Sequence, residues 1–142
     1  MASPNIEAYE RMCANADFSA DITSERSRRA MLQAFTSDFV IVVPPSLPHG
    51  GVWNGRDEWL KMNQMMASLW DAKNLPQRLW DVPDEDIVVL YSYKEWTARA
   101  TGTRLRFPAV EVLHFREAKI CRVEMFVQDT KAILDALKPE GT

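Results

Sequence analysis

The sequence has no apolar stretch approaching the roughly 20 consecutive residues that a membrane-spanning helix needs. Cysteine is scarce: Cys13 and Cys121 are the only two in 142 residues. They do not form a metal-ligand spacing, and a single pair makes no disulfide framework. Both sit among apolar neighbours, which suits small buried hydrophobes in a reducing compartment. No charged segment followed by an apolar run opens the chain, so no signal peptide is read and a cytoplasmic location is expected. Basic charge is not in excess either. Seventeen Lys and Arg against twenty Asp and Glu leave a net charge of -3, whereas a nucleic-acid binder needs a basic stripe to displace counterions. The densest cationic cluster, Arg26, Arg28 and Arg29, is too small for that. Glycine is sparse at five residues, and Gly50-Gly51 alone does not make a phosphate-cradling loop. No His, Asp, Glu or Cys grouping has metal-ligand spacing. Neither metal nor cofactor, and neither nucleic acid nor membrane, is expected as a partner.

What remains is an ordinary globular composition, 46% apolar and 26% charged, in a length that suits one domain over residues 1–142. Ser3-Pro4 signals a helix start, a capping hydroxyl before proline, and the helix is predicted to reach Ala16. A second helix is predicted from Thr23 to Phe35, then a short strand from Asp38 to Val43. Pro44 to Gly51 holds three prolines and two glycines and reads as a shaped loop. Asn54-Gly55 opens a third helix carrying Trp59, Met62, Met65, Met66 and Leu69. Strands are predicted over 77–82, 87–101, 104–116 and 119–127, and Asp129-Thr130 caps a last helix. Helices first and an antiparallel meander later define an α+β chain with helices on one face of the sheet.

Turn chemistry predicts which residues meet. With Gly102-Thr103 as a two-residue hairpin turn, Lys94 lies opposite Glu111. With Glu117-Ala118 as the next, Glu111 lies opposite Glu124. The three then form one row, and the period of two places Val88, Leu90, Trp96, Phe107, Leu113, Ile120 and Phe126 on the same face. Tyr91, Tyr93, Val110, Val112, His114, Val123 and Met125 fall on the other. Charges buried on the helix-covered face must pair, hydrogen-bond or meet a ligand. One protonated and one ionised carboxyl suit proton transfer on an organic substrate. Glu124 is then the general base, Glu111 a protonated donor, and Lys94 stabilises developing negative charge. His49, in the Pro/Gly loop, is placed to exchange protons near neutral pH. Trp53, Trp96, Met62, Phe107 and Phe126 are the candidate walls for an apolar ligand, with Trp59 and Met66 beside them. A cross-strand Lys–Glu pair is equally an ordinary structural ion pair, and a one-residue slip would carry the row to the other face.

Asp38-Phe39-Val40, Pro44 to Gly51, Gly55-Arg56-Asp57, Phe107-Pro108-Ala109-Val110-Glu111 and Lys119 through Asp129-Thr130 stand in an order and spacing that resemble the SnoaL-like branch of the NTF2-like superfamily. The resemblance covers nearly the whole chain. It implies a cone-shaped curved sheet around a deep pocket, a homodimer through the outer sheet face, and relatives among polyketide cyclases, ketosteroid isomerases and limonene epoxide hydrolases. Glu111 falls near the oxyanion-hole acid of the isomerases. Their catalytic base belongs near Val42 or Val43, where this chain has no carboxylate. Glu124 falls where the hydrolases place a water-activating aspartate, but their Arg-x-Asp pair lands on Lys94 and Trp96. The expected function is cofactor-independent acid–base catalysis (isomerase, cyclase, dehydratase or hydrolase) on a small apolar carbocyclic or polyketide-like compound. The alternative is a binding module without catalysis.

Overall fold

The computed structural model describes residues 2–139. Helix α1 spans Pro4–Asn15, where Ser3 Oγ accepts the Ile6 amide at 3.2 Å and proline occupies the first turn. It buries Asn5, Ala8, Tyr9 and Met12, the stripe that a 3.6-residue period dictates. Helix α2 (Glu25–Ala34) is capped by Ser24, and the Ser24 and Ser27 hydroxyls both donate to Asp17, tying its start to the preceding loop. It runs directly into strand β1 (Phe35–Val43). Strand β2 (Gly51–Asn54) and helix α3 (Gly55–Leu69) follow, and α3 passes without a loop into strand β3 (Trp70–Val82). A short 3-10 turn at Pro83–Glu85 leads to β4 (Ile87–Ala98), β5 (Arg104–Arg116), β6 (Lys119–Val127) and helix α4 (Thr130–Ala136). Asp129 caps α4 by accepting the Ala132 amide at 3.0 Å.

The strands make one open sheet in the order β2-β1-β6-β5-β4-β3. Only β1 and β6 pair in parallel. The sheet curves, and its concave face packs Trp70, Ala72, Val88, Leu90, Trp96, Leu113 and Ile120 against the inner residues of α1 and α3.

Four features depart from the sequence reading. The strand expected at 77–82 begins seven residues earlier, at Trp70, and β2 was not expected at all. Trp70, Ala72 and Asn74 alternate inward along β3, but the buried asparagine and Pro76 mask that pattern; β3 is an edge strand, where proline is tolerated. The β4–β5 hairpin is looser than a two-residue turn. Thr97 pairs with Arg104, so Lys94 lies opposite Phe107 and Leu90 opposite Glu111. The slip is four residues, an even number, so each side chain keeps its face.

The β5–β6 turn forms as expected. Glu117 and Ala118 both take positive φ (51° and 60°), and Arg116 pairs with Lys119. One residue later the ladder is interrupted. Phe115 pairs with Ile120 but His114 pairs with Arg122, leaving Cys121 as the extra residue of a bulge. Beyond it every side chain faces opposite to the expectation: Glu111 lies across from Met125, and Glu124 across from Val112. Met125 therefore points into the concavity, while Glu124 and Phe126 lie outside, Phe126 being 56% exposed.

Candidate functional site

Between the concave face and helices α1 and α3 lies a cavity of about 120 Å³. Its walls are largely apolar, with Met12, Trp59, Met62, Met66 and Met125 among them. Five polar side chains interrupt this surface: Tyr9, Asn63, Asn74, Lys94 and Glu111.

Lys94 is 2% exposed, and its ammonium donates to Asn74 Oδ1 at 2.8 Å and to Glu111 Oε1 at 2.6 Å. Asn74 is its direct neighbour across β3–β4. Glu111 stands further along β5, beyond the facing pair Ser92 and Ala109. Both of those small residues are buried, and they leave room for the long side chains to meet. An ammonium taken out of water without partners costs several kcal/mol. Here a carboxylate and an amide oxygen supply them.

Tyr9 and Asn63 are each 4% exposed, yet the Tyr9 hydroxyl and Asn63 Oδ1 have no hydrogen-bond partner. Burial pushes the Tyr9 hydroxyl far above the usual phenol range, with the nearby Cys13 thiol and Glu111 carboxylate adding to the shift. Cys13 lies one helical turn on and perturbs Tyr9, but its geometry falls short of a hydrogen bond that would satisfy the phenol. Burial likewise raises the Cys13 thiol.

The expected row of three ionisable groups is thus reduced to two. Lys94 and Glu111 meet. Glu124 sits on the outer face, with Oε1 2.7 Å from His114 Nε2 and 3.7 Å from Arg122 Nε, and does not line the cavity. The Cys121 bulge is the cause.

His49 is also displaced from its expected place at the mouth. The loop folds back through Leu47 N to Pro44 O (3.1 Å) and Gly50 N to Leu47 O (2.8 Å), which tucks His49 inward to 1% exposure. Its ring stacks at a tilt 5.6 Å from Trp96, and neither ring nitrogen finds a partner. Burial pushes its pKa down to about 4, so the imidazole is neutral at physiological pH.

Of the expected ligand walls, Met62 lines the cavity. Trp96 and Phe107 belong instead to a separate aromatic cluster, with ring centroids 5.2 Å apart and Trp70 at 5.3 Å from Trp96. Trp53 joins that end by donating its indole N–H to His49 O at 3.0 Å. Sequence reasoning passed over Tyr9, Asn63 and Asn74. Tyr9 was legible as part of the inner stripe of α1, and Asn74 as the third inward position after Trp70 and Ala72. Among the described residues no group of three His, Cys, Asp or Glu side chains is placed to hold a metal ion.

Helices laid into the concavity of an open, curved six-stranded sheet, with a cavity between the two layers, define the NTF2-like α+β cone. Solved structures share it. An NTF2-like protein of unknown function from Burkholderia pseudomallei is similar at a TM-score of 0.81 and 16% identity, covering 96% of this chain and 99% of its own. TerC, co-crystallised with polyporic acid, gives a TM-score of 0.80 at 22% identity over 95% and 98% of the two chains. A candidate SnoaL-like polyketide cyclase from Jannaschia sp. CCS1 gives 0.76 at 13% identity over 94% and 91%. Residues 16–123 match the SnoaL-like domain family, and the chain belongs to it. No curated protein matches the sequence.

Proposed function

We propose that the chain is a cofactor-independent acid–base enzyme acting on a small, mainly apolar carbonyl compound held in this cavity. The observation that supports the reading is the Lys94–Glu111 ion pair, set in the wall of an otherwise apolar pocket. Glu111 is the proton acceptor. It takes a proton from carbon next to the substrate carbonyl; the C–H electron pair moves into a new C=C bond, and the carbonyl oxygen gains negative charge. In a β,γ-unsaturated substrate the dienolate takes the proton back from Glu111 at the γ-carbon, which completes an isomerisation; in a substrate with a second carbonyl the enolate carbon attacks it, the C=O pair moves to oxygen, and that alkoxide takes the proton from Glu111 as the ring closes. Lys94 holds the Glu111 carboxylate in place through their ion pair, and its ammonium, with the Tyr9 hydroxyl, stabilises the charge that develops on oxygen. The names of the structural relatives, a candidate polyketide cyclase among them, fit this class of chemistry.

The test is solvent deuterium exchange into cyclohexanone followed by NMR. Glu111→Gln keeps an acceptor for the Lys94 ammonium but loses the base, and is expected to lower exchange by at least ~10²-fold. Glu124→Gln, on the outer face, is expected to leave it within about twofold of the parent chain. Equal loss in both variants contradicts the assignment.

A second reading, a binding module without turnover, is favoured by the closure of the ion pair: Lys94 is already satisfied by Glu111 and Asn74. Saturable ligand binding without exchange supports it. The expected homodimer stays part of the proposal, supported by Val52, Trp80 and Phe126, which are exposed on the outer sheet face; light scattering reads it directly. The unpaired thiols of Cys13 and Cys121 fit the reducing cytoplasm expected for it.

A further inference from the structure

The cavity is specific in both size and polarity. Its volume of about 120 Å³ is slightly below the roughly 150 Å³ of an engineered apolar cavity that takes up benzene. That space matches one six-membered ring. Two buried polar atoms on its walls, the Tyr9 hydroxyl on α1 and Asn63 Oδ1 on α3, are unpartnered. A buried polar group left unsatisfied is unfavourable, and such exceptions in a native fold call for a reason. The chemistry of the two differs. A side-chain amide oxygen only accepts, so whatever meets Asn63 Oδ1 must donate. The Tyr9 phenol is held neutral by burial, and its O–H, without a partner, is left to donate to an acceptor. The Lys94 ammonium, with two of its protons engaged by Asn74 and Glu111, offers further donor capacity from the sheet side of the cavity.

We infer that the ligand of this cavity is a single-ring compound carrying a hydroxyl (or N–H) that donates to Asn63 and a separate oxygen that accepts from Tyr9: a hydroxylated monocyclic ketone or its close equivalent. The inference rests on the reading that the cavity takes an apolar ligand, and it adds the ring count and the placement of the polar groups. A site built to hydrogen-bond a hydroxyl rejects the analogue that lacks it, because its own buried group is then left unpaired.

The test is equilibrium binding of five probes to the full chain by calorimetry: 4-hydroxyacetophenone, acetophenone, 4-ethylphenol, ethylbenzene and 6-hydroxy-2-acetonaphthone. The hydroxyacetophenone is expected to bind about tenfold tighter than acetophenone and than 4-ethylphenol, and tighter again than ethylbenzene. The two-ring naphthone is expected to bind at least about tenfold more weakly than its one-ring counterpart. Asn63→Leu should erase the advantage over acetophenone while keeping the advantage over 4-ethylphenol, and Tyr9→Phe should do the reverse. Each variant's retained affinity for ethylbenzene shows that its cavity is intact. Ethylbenzene binding as tightly as the hydroxyacetophenone, or the naphthone binding better, overturns the inference and leaves an apolar binding site standing. Saturable binding by none of the five overturns both the inference and the reading beneath it.

Discussion

Lys94 is the residue on which the interior depends. Its side chain is 3% exposed and that of Glu111 13%, so removing either partner strands the other as a buried charge. Lys94→Met is expected to destabilise the fold by about 3–5 kcal/mol, and adding Glu111→Leu should recover most of that loss, since an apolar pair of similar volume needs no compensation. Urea unfolding of the two variants checks both values. His49 makes the opposite point, as a buried imidazole kept neutral. Its folded pKa of about 4 lies below the ordinary 6.5. Above pH 6.5 both states are neutral and the group contributes no pH dependence. As pH falls from 6.5 towards 4 the unfolded chain gains a proton that the folded chain refuses, so stability drops. The full shift is worth roughly 3 kcal/mol. Chemical denaturation at pH 7 and pH 4 should show that this part of the acid loss is absent from His49→Leu.

At the scale of elements, the loop before β2 is set by backbone geometry. A Cβ on Gly50 would stand 2.1 Å from Pro44 O, far inside contact distance. Gly50→Ala is expected to cost roughly 1–3 kcal/mol and to loosen the packing of His49 on Trp96, read as a lower unfolding midpoint with altered tryptophan fluorescence. The elements also show what the sequence makes legible. Capping at Ser3 and Asp129, the helical stripe of α3 and the positive-φ turn at Glu117-Ala118 are local signals, and each forms where its residues indicate. Register is not local. The β4–β5 slip depends on how the five loop residues between Ala98 and Arg104 close, and Thr101, predicted as strand, lies in that loop, where its hydroxyl donates to Ala136 O at 2.7 Å. No glycine or proline marks the bulge at Cys121, but the apolar phase of the strand changes there, from Ile120 to Val123 and Met125, with the charged Arg122 and Glu124 between them. One unpaired residue was enough to move Glu124 from the expected catalytic row to the outer face. Lys94 and Glu111 were legible as partners because the slip between their strands was even.

Taken as a whole molecule, the fold follows from consistency between layers: an inner sheet face rich in tryptophan, leucine and valine, and helices whose inner stripes hold tyrosine, tryptophan and methionine. The cavity lies where those methionines meet the concave sheet face without filling it, and its polarity comes from side chains on α1, α3, β3, β4 and β5 that no short motif joins. Xenon, which enters apolar cavities without needing a hydrogen bond, probes that arrangement through the methionine methyl groups. In a ¹³C-methyl NMR experiment under xenon pressure, Met12, Met31, Met62, Met66 and Met125 are expected to shift, because all five line the cavity, while Met65, 38% exposed on α3, stays still. A stationary Met125 beside shifting helix methionines would return β6 to the unbulged register with Glu124 inside. No shift in any of the five would mean that the two layers enclose no cavity at all.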